Sequence, residues 1–159
     1  MKFREFKVED SDFCFRTRSN AYIKLFYEEL GAESVALCVN SILPNDFVKM
    51  SLSIKIFIVE DQNEKVGFFT FKKVHNKVEI PLIYFNTSQT RKGYGSKSMK
   101  FIEEWVKANW KDTTHIYLDT IIPKYNGKFY EKMGYKNNGK SSCEFLGRKI
   151  EAVRFEKQL

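Results

Sequence analysis

The sequence predicts a mixed α/β (α+β) domain in which a sheet of about seven strands is flanked by about four helices. Three observations lead there. Residues 53–60 (SIKIFIVE) and 65–74 (KVGFFTFKKV) are strand-like and enclose a polar turn, which makes a hairpin. Residues 77–85 follow with a nearly continuous apolar run, Ile80, Leu82, Ile83, Tyr84 and Phe85, as a strand covered on both faces requires. Beyond two glycines the period changes: Met99, Ile102, Trp105 and Val106 fall on one face of a helix over 94–109.

In chain order, Phe3, Phe6 and Val8 alternate through a first strand over 2–8. Asp10-Ser11-Asp12 offers an N-cap to a helix over 13–30, with Ala21, Tyr22, Leu25 and Phe26 toward the core and Gly31 as its stop. A second helix spans 33–43 and ends at Pro44. Residues 45–52 read as loop. After the hairpin, the central strand and the helix at 94–109 come a strand over 113–121 and a short helix over 124–133, which Gly134 terminates. Two strands, 141–146 and 150–156, close the chain around Gly147-Arg148. The order β-α-α-β-β-β-α-β-α-β-β is that of one layered domain, expected to take in residues 1–159.

The chain has 159 residues, 43% hydrophobic and 30% charged, which is enough for a core of its own. No apolar run approaches the roughly 20 residues that span a bilayer, and the mixed-charge start lacks the apolar core of a signal peptide. The expectation is a cytoplasmic protein, monomer or homodimer, that does not engage membranes. Cys14, Cys38 and Cys143 are scattered and form no metal spacing, and neither His75 nor His115 has an evident partner, so no metal is expected. The net charge of +7 comes from 27 basic and 20 acidic residues. The basic ones are spread along the chain rather than gathered in a stripe, so no specific nucleic-acid binding is expected. A polyanionic small ligand would suit that charge.

The chemistry centres on the turn before the helix at 94–109. A helix N-terminus presents unpaired N–H groups and the positive end of the dipole. Gly93 and Gly95 let a phosphate approach the backbone, and Arg91, Lys92 and Lys97 add positive charge. A Walker loop does not fit, because Ser96 intervenes between Gly95 and Lys97 and Thr90 stands where its first glycine belongs. A dinucleotide fingerprint does not fit either, because Ser98 stands where its third glycine belongs. What remains resembles the acetyl-CoA loop of the GNAT acetyltransferase superfamily, Gln/Arg-x-x-Gly-x-Gly/Ala. Gly93 and Gly95 match, while Thr90, between Gln89 and Arg91, takes the first position.

Residues 125–135, YNGKFYEKMGY, extend the resemblance. GNAT proteins carry an aromatic-Tyr-Glu-Lys-x-Gly-Phe/Tyr helix near the C-terminus, and residues 129–135 match it position for position. The element order is also that of the GNAT fold, so the resemblance covers nearly the whole chain. It implies a central, mostly antiparallel sheet and an acetyl-CoA-dependent N-acetyltransferase acting on a primary amine. A sensor or scaffold of the same fold that binds CoA without turnover is the alternative. By the same resemblance, Arg91, Lys92, Gly93, Tyr94, Gly95 and Ser96 hold the cofactor's phosphates. Phe85, Asn86 and Thr87 meet its pantetheine and thioester. The family often has Asn seven residues before the motif tyrosine; Pro123 stands there, and Asn126 is the nearby amide. The first two helices, over 13–43, are implied as the acceptor wall.

Acetyl transfer requires a deprotonated amine, and an alkylammonium has a pKa of about 10. It also requires stabilisation of the carbonyl oxygen and a donor for the leaving thiolate. The resemblance places the Tyr130 hydroxyl beside the CoA sulfur. Glu79, 14 residues before Gly93, sits at the offset of the base glutamate in histone-acetylating members. Its other reading is a strand carboxylate paired with Lys72 or Lys77.

Overall fold

A computed structural model describes residues 1–89 and 91–159; Thr90, the first position of the glycine loop, lies outside the described residues. The chain runs β1 (Lys2–Glu5), α1 (Ser11–Lys24), α2 (Tyr27–Asn40), α3 (Pro44–Met50), β2 (Lys55–Asp61), β3 (Glu64–Val74) and β4 (Lys77–Phe85). It continues with α4 (Tyr94–Asn109), β5 (His115–Thr120), α5 (Pro123–Lys132), β6 (Lys136–Phe145) and β7 (Arg148–Gln158). Short 3-10 turns stand at Val8–Asp10 and Thr87–Gln89. The strands form one 7-stranded sheet in the order β1-β2-β3-β4-β5-β7-β6. Only β4 and β5 pair in parallel, so the sheet is mostly antiparallel, as expected.

The described residues hold five α-helices rather than about four, because 45–52 is not a loop. Pro44 opens α3, where a missing N–H costs nothing, and the Asp46 carboxylate accepts the Leu43 N–H at 2.8 Å. The helix expected over 13–30 breaks after Lys24, and Gly31, at φ 79° and ψ 167°, interrupts the next one. The chain therefore bends twice where the sequence suggests one stop. No side chain caps α1: the Asp10 carboxylate turns back to the Lys7 N–H, Arg4 and Lys65 instead. β1 is shorter than expected, ending at Glu5. β6 begins earlier, at Lys136, because pairing with β7 defines it where its exposed polar residues carry no alternation.

Helices cover both faces of the sheet. On one, Val78, Ile80, Ile116 and Leu118 pack with Met99, Ile102 and Val106 of α4 and Tyr130 of α5. On the other, Ile56, Ile58, Phe68 and Leu82 meet Cys14 of α1 and Phe47 of α3. Each such large side chain contributes about 1.5–3 kcal/mol when fully buried, so packing decides where these helices lie. A third cluster joins Tyr22 of α1 and Phe26, just before α2, to Val35 and Cys38 of α2 and to Ile122 before α5.

One irregularity shapes the centre. On β3 the step from Thr70 to Lys72 covers two residues, but their partners on β4, Leu82 and Glu79, are three apart. This is a β-bulge around Ile80-Pro81. β5 pairs with β4 only from Lys77 to Glu79 and then diverges. Pro81, which has no N–H for any ladder, stands where pairing ends.

Candidate active site

A cleft of about 220 Å³ fills the fork between β4 and β5, with α1, α5 and β6 closing its sides. Leu82 and Asn86 send their N–H groups toward β3, to Thr70 Oγ1 at 3.1 Å and to the Val66 carbonyl at 2.8 Å. Alternation along the strand turns the N–H groups of Ile83 and Phe85 the other way, to the side that β5 has left. Phe85 was the expected residue here, and Ile83 joins it. The Asn86 side chain is committed elsewhere: it accepts from Thr17 at 3.2 Å and donates to the Lys65 carbonyl at 3.1 Å, which anchors the strand end to α1 and β3. Thr87 opens the 3-10 turn that leads into the glycine loop.

At that loop Gly93 takes φ 79° and ψ 7°, a left-handed conformation that a Cβ disfavours, and no side chain caps α4. The first N–H groups of α4, those of Tyr94, Gly95 and Ser96, have no partner within the helix. Arg91 is also left-handed, at φ 64°, and both it and Lys92 are exposed. Tyr94 is a structural member of this group: its ring stacks on Phe85 at 6.2 Å and its hydroxyl donates to Asp61 at 2.8 Å. A Cβ on Gly95 would stand 3.1 Å from Cζ of Phe129, so this glycine also lets α4 approach α5. Gly67 of β3 does similar work for Phe85, because a Cβ there would lie 2.6 Å from the Tyr84 carbonyl and overlap the Phe85 ring. Nothing in the sequence pattern singled out Gly67.

Across the cleft, α5 starts under control of α2. The Glu29 carboxylate accepts the N–H groups of Lys124 and Tyr125 at 2.9 and 3.0 Å. Asn126 accepts from the Thr120 hydroxyl at 2.8 Å and lines the cleft one turn before Tyr130. Phe129 and Met133 pack on the core. Tyr130 is 4% exposed and its ring lies 5.6 Å from that of Phe155. Its hydroxyl forms no hydrogen bond among the described residues. Burial, with a smaller contribution from Tyr84, raises its pKa far above the ordinary phenol range. The group therefore stays protonated and can donate.

Glu79 holds the last pairing position before the fork, opposite Tyr117. It pairs with Lys72 at 3.1 Å, while the Tyr117 hydroxyl stands at 3.5 Å, a weak contact. Lys77 goes instead to Glu156 at 2.6 Å. Glu79 is not among the residues lining the cleft.

Sequence reasoning missed several cleft residues. Asp119 of β5 takes a two-pronged bond from Arg154, at 2.9 and 2.7 Å, and the Ser141 hydroxyl at 2.8 Å. Cys143 of β6 faces the cleft with a thiol that burial and then Asp119 push up to about 11, so it is protonated at neutral pH. Arg18, Tyr22 and Tyr84 form the α1 side. The period of α1 marked Tyr22 as core but gave no reason to bury Arg18. The described residues contain no cluster of His, Cys, Asp and Glu able to hold a metal, and no helix long and apolar enough to cross a membrane.

No curated protein sequence matches the chain. Solved structures do resemble it in fold. A GCN5-related N-acetyltransferase from Rhodopseudomonas palustris superposes with a TM-score of 0.87 at 16% identity, over 99% of this chain and 95% of that one. The PaiA N-acetyltransferase of Thermoplasma acidophilum, solved in complex with coenzyme A, gives 0.74 at 19% identity over 99% and 98%. A ribosomal-protein-alanine N-acetyltransferase from Brucella melitensis gives 0.73 at 11% identity over 100% of both chains. The family model described as Acetyltransferase (GNAT) family matches residues 18–135, from the α1 wall of the cleft to the end of the tyrosine motif. The chain belongs to the GNAT family of acetyltransferases.

Proposed function

We propose that this chain moves an acetyl group from acetyl-CoA to a primary amine, with Tyr130 and Glu79 as the working side chains. The observation that carries the reading is the fork itself. One cleft lies beside an uncapped helix N-terminus, is edged by the turned-out amides of Ile83 and Phe85, and contains a tyrosine hydroxyl without a partner among the described residues. These features fit acetyl-CoA. The α4 N-terminus, with Arg91 and Lys92 beside it, would take the phosphates. The amides of Ile83 and Phe85 would face the pantetheine and the carbonyl oxygen, and Asn126 offers the unused N–H bonds of its amide. The complex of the Thermoplasma neighbour with coenzyme A supports that choice of co-substrate.

In this reading Tyr130, neutral at working pH, donates a hydrogen bond to the departing sulfur. Glu79 accepts the amine's proton through water, since its position at the base of the fork lies outside the lining of the cleft. A screen of thiol release from acetyl-CoA across polyamines, aminoglycosides, amino acids and peptide amines tests the proposal. Steady release with at least one class is expected. Tight CoA binding with no turnover on any amine would favour a sensor or scaffold instead.

A further inference from the structure

Arg18 is 1% exposed, yet no carboxylate among the described residues pairs with it. Two of its N–H bonds are used: Nη1 donates to the Cys38 carbonyl at 2.8 Å and Nη2 to the Ser41 hydroxyl at 3.0 Å. Nε is buried and has no partner among the described residues. A guanidinium cannot shed its charge, and burying it without a counter-ion is costly. The two contacts explain how Arg18 joins α1 to the end of α2, but a neutral donor could do that as well. The Tyr22 ring lies under the guanidinium, 4.9 Å from its centre, and offsets part of the charge; no anion among the described residues answers it, and the Nε edge of the fork stays open.

Arg18 lines the same cleft as Tyr130. Beside it the hydroxyls of Tyr22 and Tyr84 share a hydrogen bond at 2.9 Å. Two hydroxyls joined by one bond keep a second proton free to donate. Burial raises both phenols, so both remain neutral donors. The other ionic groups lining the cleft do not answer Arg18: Asp119 is taken up by Arg154, and Glu144 lies exposed on β6. The deep α1 side is thus a cationic fork with a hydroxyl donor next to it. A planar carboxylate fits a guanidinium edge with two parallel bonds.

We propose that the acceptor of this acetyltransferase carries a carboxylate, held by Arg18 with Tyr22 and Tyr84, so that the substrate class is an amino acid or a peptide end that presents both amine and carboxylate. This rests on the acetyl-transfer reading of the cleft. The cleft of about 220 Å³ is below the roughly 300 Å³ at which drug-sized pockets begin, which suits a small acceptor.

The test is thiol release by the whole chain on matched acceptors. L-Amino acids of different side-chain class are compared with their carboxamides and decarboxylated amines, and short peptides with free C-termini are compared with amidated ones. For the best acceptor, kcat/KM should be at least about tenfold higher for the acid than for its amide. Arg18→Gln should bring the two within about twofold, and Arg18→Lys should fall between. Tyr84→Phe should narrow the preference by a smaller factor. A preference confined to free amino acids identifies a small metabolite; one shared by free C-termini identifies a peptide end. Equal rates for acid and amide in the wild type overturn the proposal while leaving acetyl transfer intact. An Arg18→Gln protein that melts like the wild type and keeps the full preference overturns it as well. If Arg18→Gln does not fold, the wild-type pairs and Tyr84→Phe decide. Failure of every amine to release thiol instead counts against the acetyl-transfer reading. Calorimetry with N-acetyl amino acids and their amides in the presence of CoA then judges the carboxylate site, which fails if the acids bind no better.

Discussion

Ile80 and Leu82 point to opposite faces of the sheet although one residue separates them on the same strand. Ile80 packs with the α4 and α5 cluster, Leu82 with the α1 and α3 cluster. Ordinary alternation would put both on one face. The extra residue at the bulge reverses the pattern, and β5 leaves β4 at the same level, after Glu79. Above that level Ile83 and Phe85 face α4, and their backbone N–H groups face the opening. The bulge thus sets the side chains of one half-strand against α4 while turning its amides toward the cleft.

Glu79 stands at the base of this fork, and its role can be separated from its ion pair. Its pair with Lys72 is partly exposed and is worth less than about 1 kcal/mol, so Glu79→Gln should hardly change stability. If Glu79 accepts the amine's proton, Glu79→Gln should lower turnover most at neutral pH. The loss should fade as pH rises toward about 10, where the amine is already deprotonated. CoA affinity should stay the same. A pH–rate profile parallel to that of the wild type would leave Glu79 as no more than the partner of Lys72.

The two loop glycines make different demands. A Cβ on Gly93 would meet nothing within 4 Å, so its side chain would project into the open space beyond α4's N-terminus. Gly93→Ala should lose about 1 kcal/mol of stability from the left-handed backbone alone. Gly93→Val adds bulk where the phosphates are proposed to lie, and calorimetry should show CoA affinity falling about tenfold, roughly 1.4 kcal/mol. Gly95→Val would press on Phe129 and should disturb the packing of α5 as well as binding. Undiminished CoA affinity in a folded Gly93→Val protein would remove the loop from the binding site.

The sheet and most of its partners were legible because strand and helix periods are local properties. The hairpin, the central strand and α4 lie close to where their patterns fall, and the FYEKMGY motif stands on α5 beside the cleft. Misreadings arose where context outweighs pattern. Residues 45–52 look like a loop because Pro44 reads as a stop, but its position one residue into α3 makes it a start. β6 is strand only because β7 pairs along it. The burial of Arg18 beside the cleft was illegible for a related reason. Arg18 sits in a helix with little amphipathic contrast, and nothing local shows that its charge ends up 1% exposed against α2. Gly67 was passed over because its neighbour Phe85 is distant in sequence.

Asp10 should govern the acid limit of stability. Its side chain is fully buried and receives Arg4 through two nitrogens, at 2.7 and 2.9 Å, Lys65 at 2.6 Å and the Lys7 N–H at 2.9 Å. Burial alone would raise its pKa, but the hydrogen bonds from Arg4, Lys65 and Lys7 outweigh burial and hold it well below the carboxylate range. A lowered folded-state pKa means that the contribution is complete above the unfolded value of about 3.9 and is lost as pH falls toward the folded one. Asp10→Asn leaves two cations facing a neutral group and should cost about 3 kcal/mol at neutral pH. Its melting temperature should then change less than that of the wild type between about pH 4 and pH 2. Parallel melting curves over that window would assign acid sensitivity to another carboxylate.

Tyr130→Phe is the sharpest test of the chemistry, because the structure separates its effect on activity from its effect on folding. The substitution keeps a ring that is 4% exposed and packed against Phe155, and removes only an oxygen. That oxygen makes no hydrogen bond among the described residues, so its loss leaves no protein group unpaired. Stability should be about unchanged, because the oxygen faces the cleft and has no protein partner to lose. Acetyl-CoA affinity should also change little, since its contacts are proposed to lie mainly at the α4 N-terminus and along β4. Turnover should fall about ten- to a thousandfold, roughly 1.4–4 kcal/mol, if the hydroxyl donates to the sulfur as it leaves. The loss should be smaller for acyl donors whose leaving thiol is more acidic, because a stable thiolate needs less help. A Tyr130→Phe enzyme with full turnover on acetyl-CoA would return that hydrogen bond to solvent and leave Tyr130 as a packing residue of α5.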